Sequence, residues 1–314
     1  MENVIQTQDL GKRYLHCTAL RGLTMQIPKG SIYGLVGKNG AGKTTLIRIL
    51  TGLQQPTSGQ YSLYGVPHTD PDILRCRRRM GAVVETPSLY LNMTAQENLR
   101  LQYRVLGLPS EDSIPQLLEL VGLGRTGSKK VRNFSLGMRQ RLGIAVALAG
   151  SPDLLLLDEP ANGLDPQGII ELRELILKLN REQGITVLIS SHLLDELARL
   201  ASWYGFMDGG RILRQMSAQE LEAACRKSTQ ITVSDPQILA QVLDTMGLEY
   251  TLLEGNSARL YGTVEVTPLV CALAEAGCRV RTMTQQDESL ESFYMNLVCL
   301  LYTSPSPRDV EESR

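Results

Sequence analysis

Gly37-Lys38-Asn39-Gly40-Ala41-Gly42-Lys43-Thr44 has the residue types and spacing of a loop that holds phosphate, G-x-x-x-x-G-K-T. Small residues let backbone N–H groups turn toward phosphate oxygens, and a helix starting at Lys43 adds the positive end of its dipole. In such a loop Lys43 reaches the β- and γ-phosphates and the Thr44 hydroxyl ligates Mg²⁺. The bland alternative is a chance glycine-rich turn. The β-like run SIYGLV before it and the helical pattern KTTLIRIL after it supply the setting a phosphate loop needs. A second group, Leu154-Leu155-Leu156-Leu157-Asp158-Glu159, reads as a buried strand ending in two carboxylates. Strand alternation points the two acids to opposite sides. Asp158 therefore suits Mg²⁺, through water, and Glu159 suits the water that attacks a γ-phosphate. Alone, this strand would read as one ending in a solvated acidic turn; beside a phosphate loop the catalytic reading prevails.

These residues sit in a chain of 314 residues with 32 Lys+Arg against 33 Asp+Glu, a net charge of −1. That balance lacks the basic excess of a dedicated nucleic-acid binder. The cluster Arg75-Cys76-Arg77-Arg78-Arg79 has no aromatic platform beside it and reads as a solvated face. With 43% hydrophobic and 21% charged residues, the chain is globular rather than disordered, collagen-like or coiled-coil. The cysteines, Cys17, Cys76, Cys225, Cys271, Cys278 and Cys299, show no metal-ligand spacing and read as reduced thiols of a cytosolic protein. The amino terminus lacks the layout of a signal peptide, and no apolar run approaches the ~18 residues that cross a bilayer. Any membrane role must pass through another chain.

The elements that must position the chemistry follow from periodicity. Residues 1–36 read as short strands and turns, and 43–50 as a helix. The segment QPTSGQYSLYGVPH is turn-rich and β-like. Thr94 and Glu97 have capping-box spacing and open a helical stretch to about Gly150, interrupted at Pro109, Pro115 and Lys129–Asn133. The apolar LLLL, a helix from about Pro166 to Gly184, the run ITVLIS and a helix HLLDELARLA then alternate, which predicts a parallel α/β sheet. After Arg214 the rhythm changes to QITVSD, PQILAQVLDTMG, ARLYG, PLVCALAEAG and CRVRTMT, a small α+β appendage.

A third group, Phe134-Ser135-Leu136-Gly137-Met138-Arg139-Gln140-Arg141, places Ser135 92 residues beyond Lys43 and 23 before Asp158. It resembles the signature motif of ATP-binding cassette (ABC) ATPases, usually written LSGGQ. The resemblance continues through Ala161-Asn162-Gly163-Leu164-Asp165, the D-loop, and His192, the switch histidine, and spans roughly residues 3–215. It implies an α/β fold of the P-loop NTPase class: a parallel-sheet core, an antiparallel β subdomain and a helical signature subdomain at about 90–150. It further implies ATP and Mg²⁺ as ligands, with Gly37, Asn39, Gly40, Gly42, Lys43, Thr44 and Thr45 on the phosphates and Tyr14 stacked on adenine. Ser135, Gly137 and Asp165 serve the nucleotide bound by a second subunit in a head-to-tail dimer. A lone histidine is ordinarily structural, as His16 and His68 are read here; the position of His192 just past a parallel strand favours a functional one.

Two departures narrow the resemblance. Leu136 stands where many cassettes have glycine, and Glu85, in MGAVVETPSLYLNMTAQENL, stands where most have the glutamine that contacts Mg²⁺ and the attacking water. With PANGLDPQG, this combination looks like the ATPase subunits of bacitracin-type and lantibiotic-immunity exporters. The expected function is an ATPase at the cytoplasmic face of the membrane, partnered by a separately encoded multi-span permease and a second ATPase subunit, with no nucleic-acid partner. Glu85 is counted with Thr44 and Asp158 at the metal and with Glu159 and His192 in catalysis. Drug or lipid export is the runner-up. A soluble cassette acting on ribosomes or DNA is disfavoured by the single cassette and the absence of room for a coiled coil; a degenerate regulator, by intact Lys43, Asp158, Glu159 and His192.

The domain expectation is an ATP-binding domain at 1–215, an α+β domain at 216–298 and a tail at 299–314. Residues Cys299–Asp309, CLLYTSPSPRD, break the preceding helical pattern and resemble one reading frame of a transposase-based sequencing adapter, which implies that the natural C-terminus is missing. Deleting residues 299–314 is therefore expected to leave the melting temperature and ATPase rate unchanged; recovery of the same codons from the intact genomic locus by an independent library method would contradict the adapter reading.

Overall fold

A computed structural model of the chain describes residues 2–224, 228–253, 255–262, 264–286, 292–295 and 297–298. The adapter-like tail, Cys225 and Cys299 lie outside the described residues. The chain divides into two compact units, Met1–Ala218 and Gln219–Arg314.

In chain order the first unit begins with β1 (Asn3–Arg13), β2 (Thr18–Pro28), β3 (Ile32–Val36), α1 (Lys43–Leu50), β4 (Ser58–Leu63), β5 (Val66–Pro67), α2 (Ile73–Arg78) and β6 (Met80–Val83). Helices α3 (Ala95–Leu106), α4 (Ile114–Leu120) and α5 (Leu136–Leu148) follow, then β7 (Leu154–Asp158), α6 (Pro166–Gln183), β8 (Thr186–Ser191), α7 (Leu194–Ala198), β9 (Trp203–Asp208) and β10 (Arg211–Ser217). One sheet has the order β10-β9-β3-β8-β7-β6. The pairs β9–β3, β3–β8, β8–β7 and β7–β6 are parallel, and β10 adds an antiparallel edge. β3 and β7 are buried at every position, the pattern of parallel strands covered on both faces. A second, antiparallel sheet has the order β2-β1-β4-β5.

The sheets share a core. Val4, Ile5, Leu23, Met25 and Ile27 of the antiparallel sheet pack with Leu46, Ile47, Ile49 and Leu50 of α1 and with Leu35, Leu154 and Leu188 of the parallel sheet. Each such aliphatic side chain contributes about 1.5–3 kcal/mol when fully buried, so α1 is held by its apolar face rather than by its eight residues of helix alone. Tyr64, between β4 and β5, donates its hydroxyl to Asp153 at the base of β7, and the Arg79 guanidinium lies 4.0 Å over its ring while pairing with the same carboxylate. Burial and the Asp153 contact push the Tyr64 phenol far above its usual range.

The helical stretch before β7 differs from its sequence expectation in one respect. Pro115 does not interrupt a helix: it occupies the first turn of α4, where no intrahelical N–H is required. The capping box of α3 is present, with Thr94 Oγ1 accepting from Glu97 N and Glu97 Oε2 accepting from Thr94 N. Helix α7 is shorter than the run HLLDELARLA suggests, because Leu200 N and Ala201 N both turn back to Leu197 O.

The second unit opens with α8 (Ala218–Ala224) at its boundary and continues as β11 (Ser228–Val233), α9 (Pro236–Thr245), β12 (Tyr250–Leu253), β13 (Ser257–Tyr261), α10 (Val266–Glu275) and β14 (Val280–Gln286). Its sheet order β12-β13-β11-β14, with every neighbour antiparallel, makes it a βαββαβ split of the ferredoxin-like kind. Ile231, Val233, Ala258 and Leu260 of the sheet pack with Leu239, Leu243, Leu269 and Leu273 of the two helices. The four-residue β12 has no signal in the sequence pattern, because a strand so short shows too few alternations to read.

Candidate active site at the carboxyl ends of the parallel strands

Four neighbouring strands deliver the chemistry to one edge of the sheet. β3 runs into the glycine-rich loop, β8 ends next to His192, β7 ends at Asp158, and β6 leads to Glu85. Ligands of open parallel sheets bind at this edge. A cleft of about 360 Å³ opens there, lined by Asn39, Gly40, Gly42, Lys43, Thr44, Thr45 and Glu159, with Cys17, Thr18, Ala19, Arg21, Gly209 and Gly210 as its other walls. A larger cavity, about 510 Å³, lies at the opposite end of β7 against Tyr103, Gln116, Asp153 and Gln183, far from these groups in the fold. The loop needs its last glycine: Gly42 has φ +107, and a Cβ there would stand 2.6 Å from Ala19 O.

Lys43 is only 5% exposed. Its ammonium donates to Gly37 O at 2.5 Å and Lys38 O at 3.1 Å, and pairs with Glu159 Oε1 at 3.1 Å. The other oxygen of that carboxylate, Oε2, lies 2.7 Å from His192 Nδ1. An ionised carboxylate only accepts, so Nδ1 carries the proton. Glu159 is thus held between a cation and an imidazole N–H.

The two carboxylates are separated by a turn rather than by strand alternation. β7 stops at Asp158, and Glu159 takes φ +48, a left-handed conformation that non-glycine residues rarely adopt. Ser190, fully buried on β8 and in register with Asp158, secures the turn. Its hydroxyl donates to Asp158 Oδ1 at 2.7 Å and accepts from Glu159 N at 2.9 Å. Asp158 is 1% exposed, and its Oδ2 has no hydrogen-bond partner. An orphaned buried carboxylate oxygen, beside a loop that supplies the Thr44 hydroxyl, fits a hard divalent cation. Among the described residues no three His, Cys, Asp or Glu side chains form a cage. That donor set suits Mg²⁺, which takes few protein ligands and completes its shell with phosphate and water.

The remaining expected residues stand apart from this cluster. Tyr14 lies in the turn between β1 and β2, where its hydroxyl donates to Gln54 Oε1 and Lys12 Nζ lies 5.4 Å over its ring. Ser135 caps α5, accepting from Met138 N at 3.2 Å, with Gly137 in the first turn behind it. Asp165 caps α6, accepting from Gly168 N at 3.0 Å. Glu85, 57% exposed at φ +59, pairs with Arg48 Nη2 at 2.6 Å on α1. Neither Ser190 nor Arg48 is marked by sequence pattern: one is a serine in a β run and the other an arginine on a helix.

Comparison with known proteins places these features in a common frame. The family model described as ABC transporter matches residues 20–162. The chain is 38% identical over 301 residues to the bacitracin transport ATP-binding protein BcrA of Enterococcus faecalis, covering 95% of this chain and 97% of that one. It is 47% identical over 210 residues to the lantibiotic transport ATP-binding protein SrtF of Streptococcus pyogenes, covering 67% and 89% respectively. Among solved structures, the ATP-binding subunit of an ABC transporter is similar with TM-score 0.62 and 31% identity, over 70% of this chain and 92% of that one. A dimeric, post-hydrolysis ATP-binding cassette bound to ADP and Pi is similar with TM-score 0.62 and 25% identity, over 68% and 98%.

Ser190→Ala removes the hydroxyl that serves both Asp158 and Glu159, leaving a buried N–H and a buried carboxylate oxygen without it. The expected cost is about 1–3 kcal/mol of stability, read by denaturant unfolding, together with a loss of ATP turnover. Ser190→Ala with wild-type stability and turnover would show that the hydroxyl does not hold the turn.

Proposed function

The chain belongs to the ABC transporter family, and on that premise we propose that it is the ATP-hydrolysing subunit of an exporter whose permease is a separate chain, with peptide antibiotics of the bacitracin and lantibiotic kind as cargo. The observation that carries this reading is the single cleft where Lys43, Thr44 and Glu159 meet, with His192 seated on the Glu159 carboxylate. The cargo class is supported by the names of the two relatives, the first similar along nearly the whole chain. Among the described residues no helix is long and apolar enough to cross a membrane. In this reading, which the transport ATP-binding relatives support, the permease supplies the path and this subunit works through it at the cytoplasmic face of the membrane. Residues 1–215 form the ATPase domain in this reading and the α+β unit after them is an appendage.

In the proposed reaction the phosphates of ATP compete for the Lys43 ammonium, which leaves the Gly37 and Lys38 carbonyls and Glu159 Oε1. Backbone N–H groups of Asn39, Gly40, Gly42, Lys43, Thr44 and Thr45 surround the phosphates, and Tyr14 stacks on adenine. Glu159 Oε1 then accepts a proton from water as the water oxygen bonds to the γ-phosphorus and the bond to the β–γ bridging oxygen breaks, releasing ADP and phosphate. His192 keeps the carboxylate oriented through Oε2. Mg²⁺, when bound, would neutralise phosphate charge; Thr44 and Asp158 would hold it, and Glu85, which stands apart from them in this structure, would add an oxygen donor only with movement of its loop. Ser135 and Gly137, at the start of α5, meet the γ-phosphate held by a second copy, and Asp165 lies at the same junction. The likeness to a dimeric cassette supports this head-to-tail pair.

Glu159→Gln keeps shape and hydrogen-bonding reach but removes the base. ATP binding should persist while hydrolysis falls about 10²–10⁴-fold, and the variant should run as an ATP-bound dimer by size-exclusion chromatography. With the permease present, the same substitution should abolish resistance to bacitracin or a lantibiotic. Near-normal hydrolysis would remove Glu159 from the role of base, and a wild-type chain that confers no resistance with its permease would remove peptide antibiotics as cargo.

A further inference from the structure

The loop 84–93, between β6 and α3, touches two helices that serve the nucleotide. Its far end is tied to the helical region: Asn98 Oδ1 accepts from Tyr90 N at 2.8 Å, and Leu91 O accepts from Arg132 N at 2.8 Å. Its middle lies on α5, where a Cβ on Gly143 would stand 2.5 Å from Pro87 Cβ, so the close approach requires glycine. Its near end reaches α1, where Glu85 Oε1 accepts from Arg48 Nη2 at 2.6 Å. Glu85 is held there at φ +59, a conformation that surrounding contacts must stabilise in a non-glycine residue. Arg48 lies in the last turn of α1, where a cation also suits the helix dipole.

We propose that Arg48 is a positioning residue that, through Glu85, fixes the near end of this loop to the helix beginning at Lys43, linking the movements of that helix to those of α5. The proposal rests on the ATPase reading above and adds a partner for Glu85 that this reading does not contain. An ion pair this exposed adds little to folding stability. It suffices to bias a loop several-fold between two positions, because populations respond to small differences in interaction. A glutamine at 85 would keep an acceptor but lose the charge that makes the contact short. The acid at 85, where the family resemblance expects glutamine, therefore has a reason on this chain: Arg48 stands opposite it.

The test uses the full-length chain and three variants: Arg48→Met, which keeps an apolar stem without the charge, Glu85→Gln, and the reversal Arg48→Glu with Glu85→Arg. ATP binding, kcat and KM are measured together with amide hydrogen exchange of residues 84–93 with and without ATP. Arg48→Met should bind ATP within about 2-fold of wild type while kcat falls about 2- to 5-fold. ATP should slow exchange across the loop in wild type, fail to do so in Arg48→Met, do so partially in Glu85→Gln, and do so again in the reversal. A merely structural arginine would not give a loss that the reversed pair restores. Wild-type ATP binding with no ATP-dependent slowing in the wild-type loop, or with equal slowing and kcat in Arg48→Met, overturns the proposal alone. A wild-type chain that neither binds nor hydrolyses ATP overturns the ATPase reading and this proposal with it.

Discussion

A lysine ammonium buried to 5% exposure must have counter-charge and acceptors around it, and the first unit is organised to supply them to Lys43. The glycine-rich loop folds back so that two of its own carbonyls accept from Nζ, and Glu159 brings the negative charge. Those groups come from the ends of β3 and β7, which are not neighbours: β8 runs between them. The span across β8 is what brings Ser190 and His192 into the cluster. Every parallel strand in the centre of the sheet therefore contributes to holding one cation, and the same cation is the group that phosphate would claim.

The separation of the two acids follows from backbone conformation. Asp158 remains in the strand, buried, with one oxygen on Ser190 and one without a partner. Glu159, turned out by a left-handed φ, faces Lys43 and His192. Left-handed non-glycine residues cost free energy unless neighbours hold them; here the Ser190 hydroxyl accepts the Glu159 N–H and provides part of that hold. Asp158 and Glu159 can then be adjacent in sequence without sharing an environment, which keeps like charges from competing for one site and leaves room for the two roles proposed for them.

The phosphate loop, the strand before Asp158 and the capped start of α3 are legible in the sequence because each is encoded within about ten consecutive residues. The position of His192 after a strand is legible for the same reason. What could not be read depends on register and on contacts between distant segments. Ser190 lies opposite Asp158 only because β7 and β8 pair in that register, and Arg48 meets Glu85 across 37 residues of sequence. Alternation predicts that the Asp158 and Glu159 side chains diverge, as they do, but a turn rather than the pleat separates them. Pro115 reads as a breaker in the sequence because proline in a first turn and proline between helices look alike until the helix start is known. In the second unit α9, α10 and three strands show in the pattern, whereas α8 has no counterpart in that reading and β12 and the sheet order come from tertiary pairing.

The central claim is that the buried Lys43 ammonium is the group that exchanges protein acceptors for the phosphates of ATP. Its most direct test is the ATP affinity of Lys43→Ala measured by calorimetry on the full-length chain. Loss of charge-assisted hydrogen bonds worth about 1.5–3 kcal/mol each, with Glu159 left unneutralised beside the phosphates, predicts binding weakened by at least about 10-fold. An ATP affinity equal to that of the wild type would contradict the account.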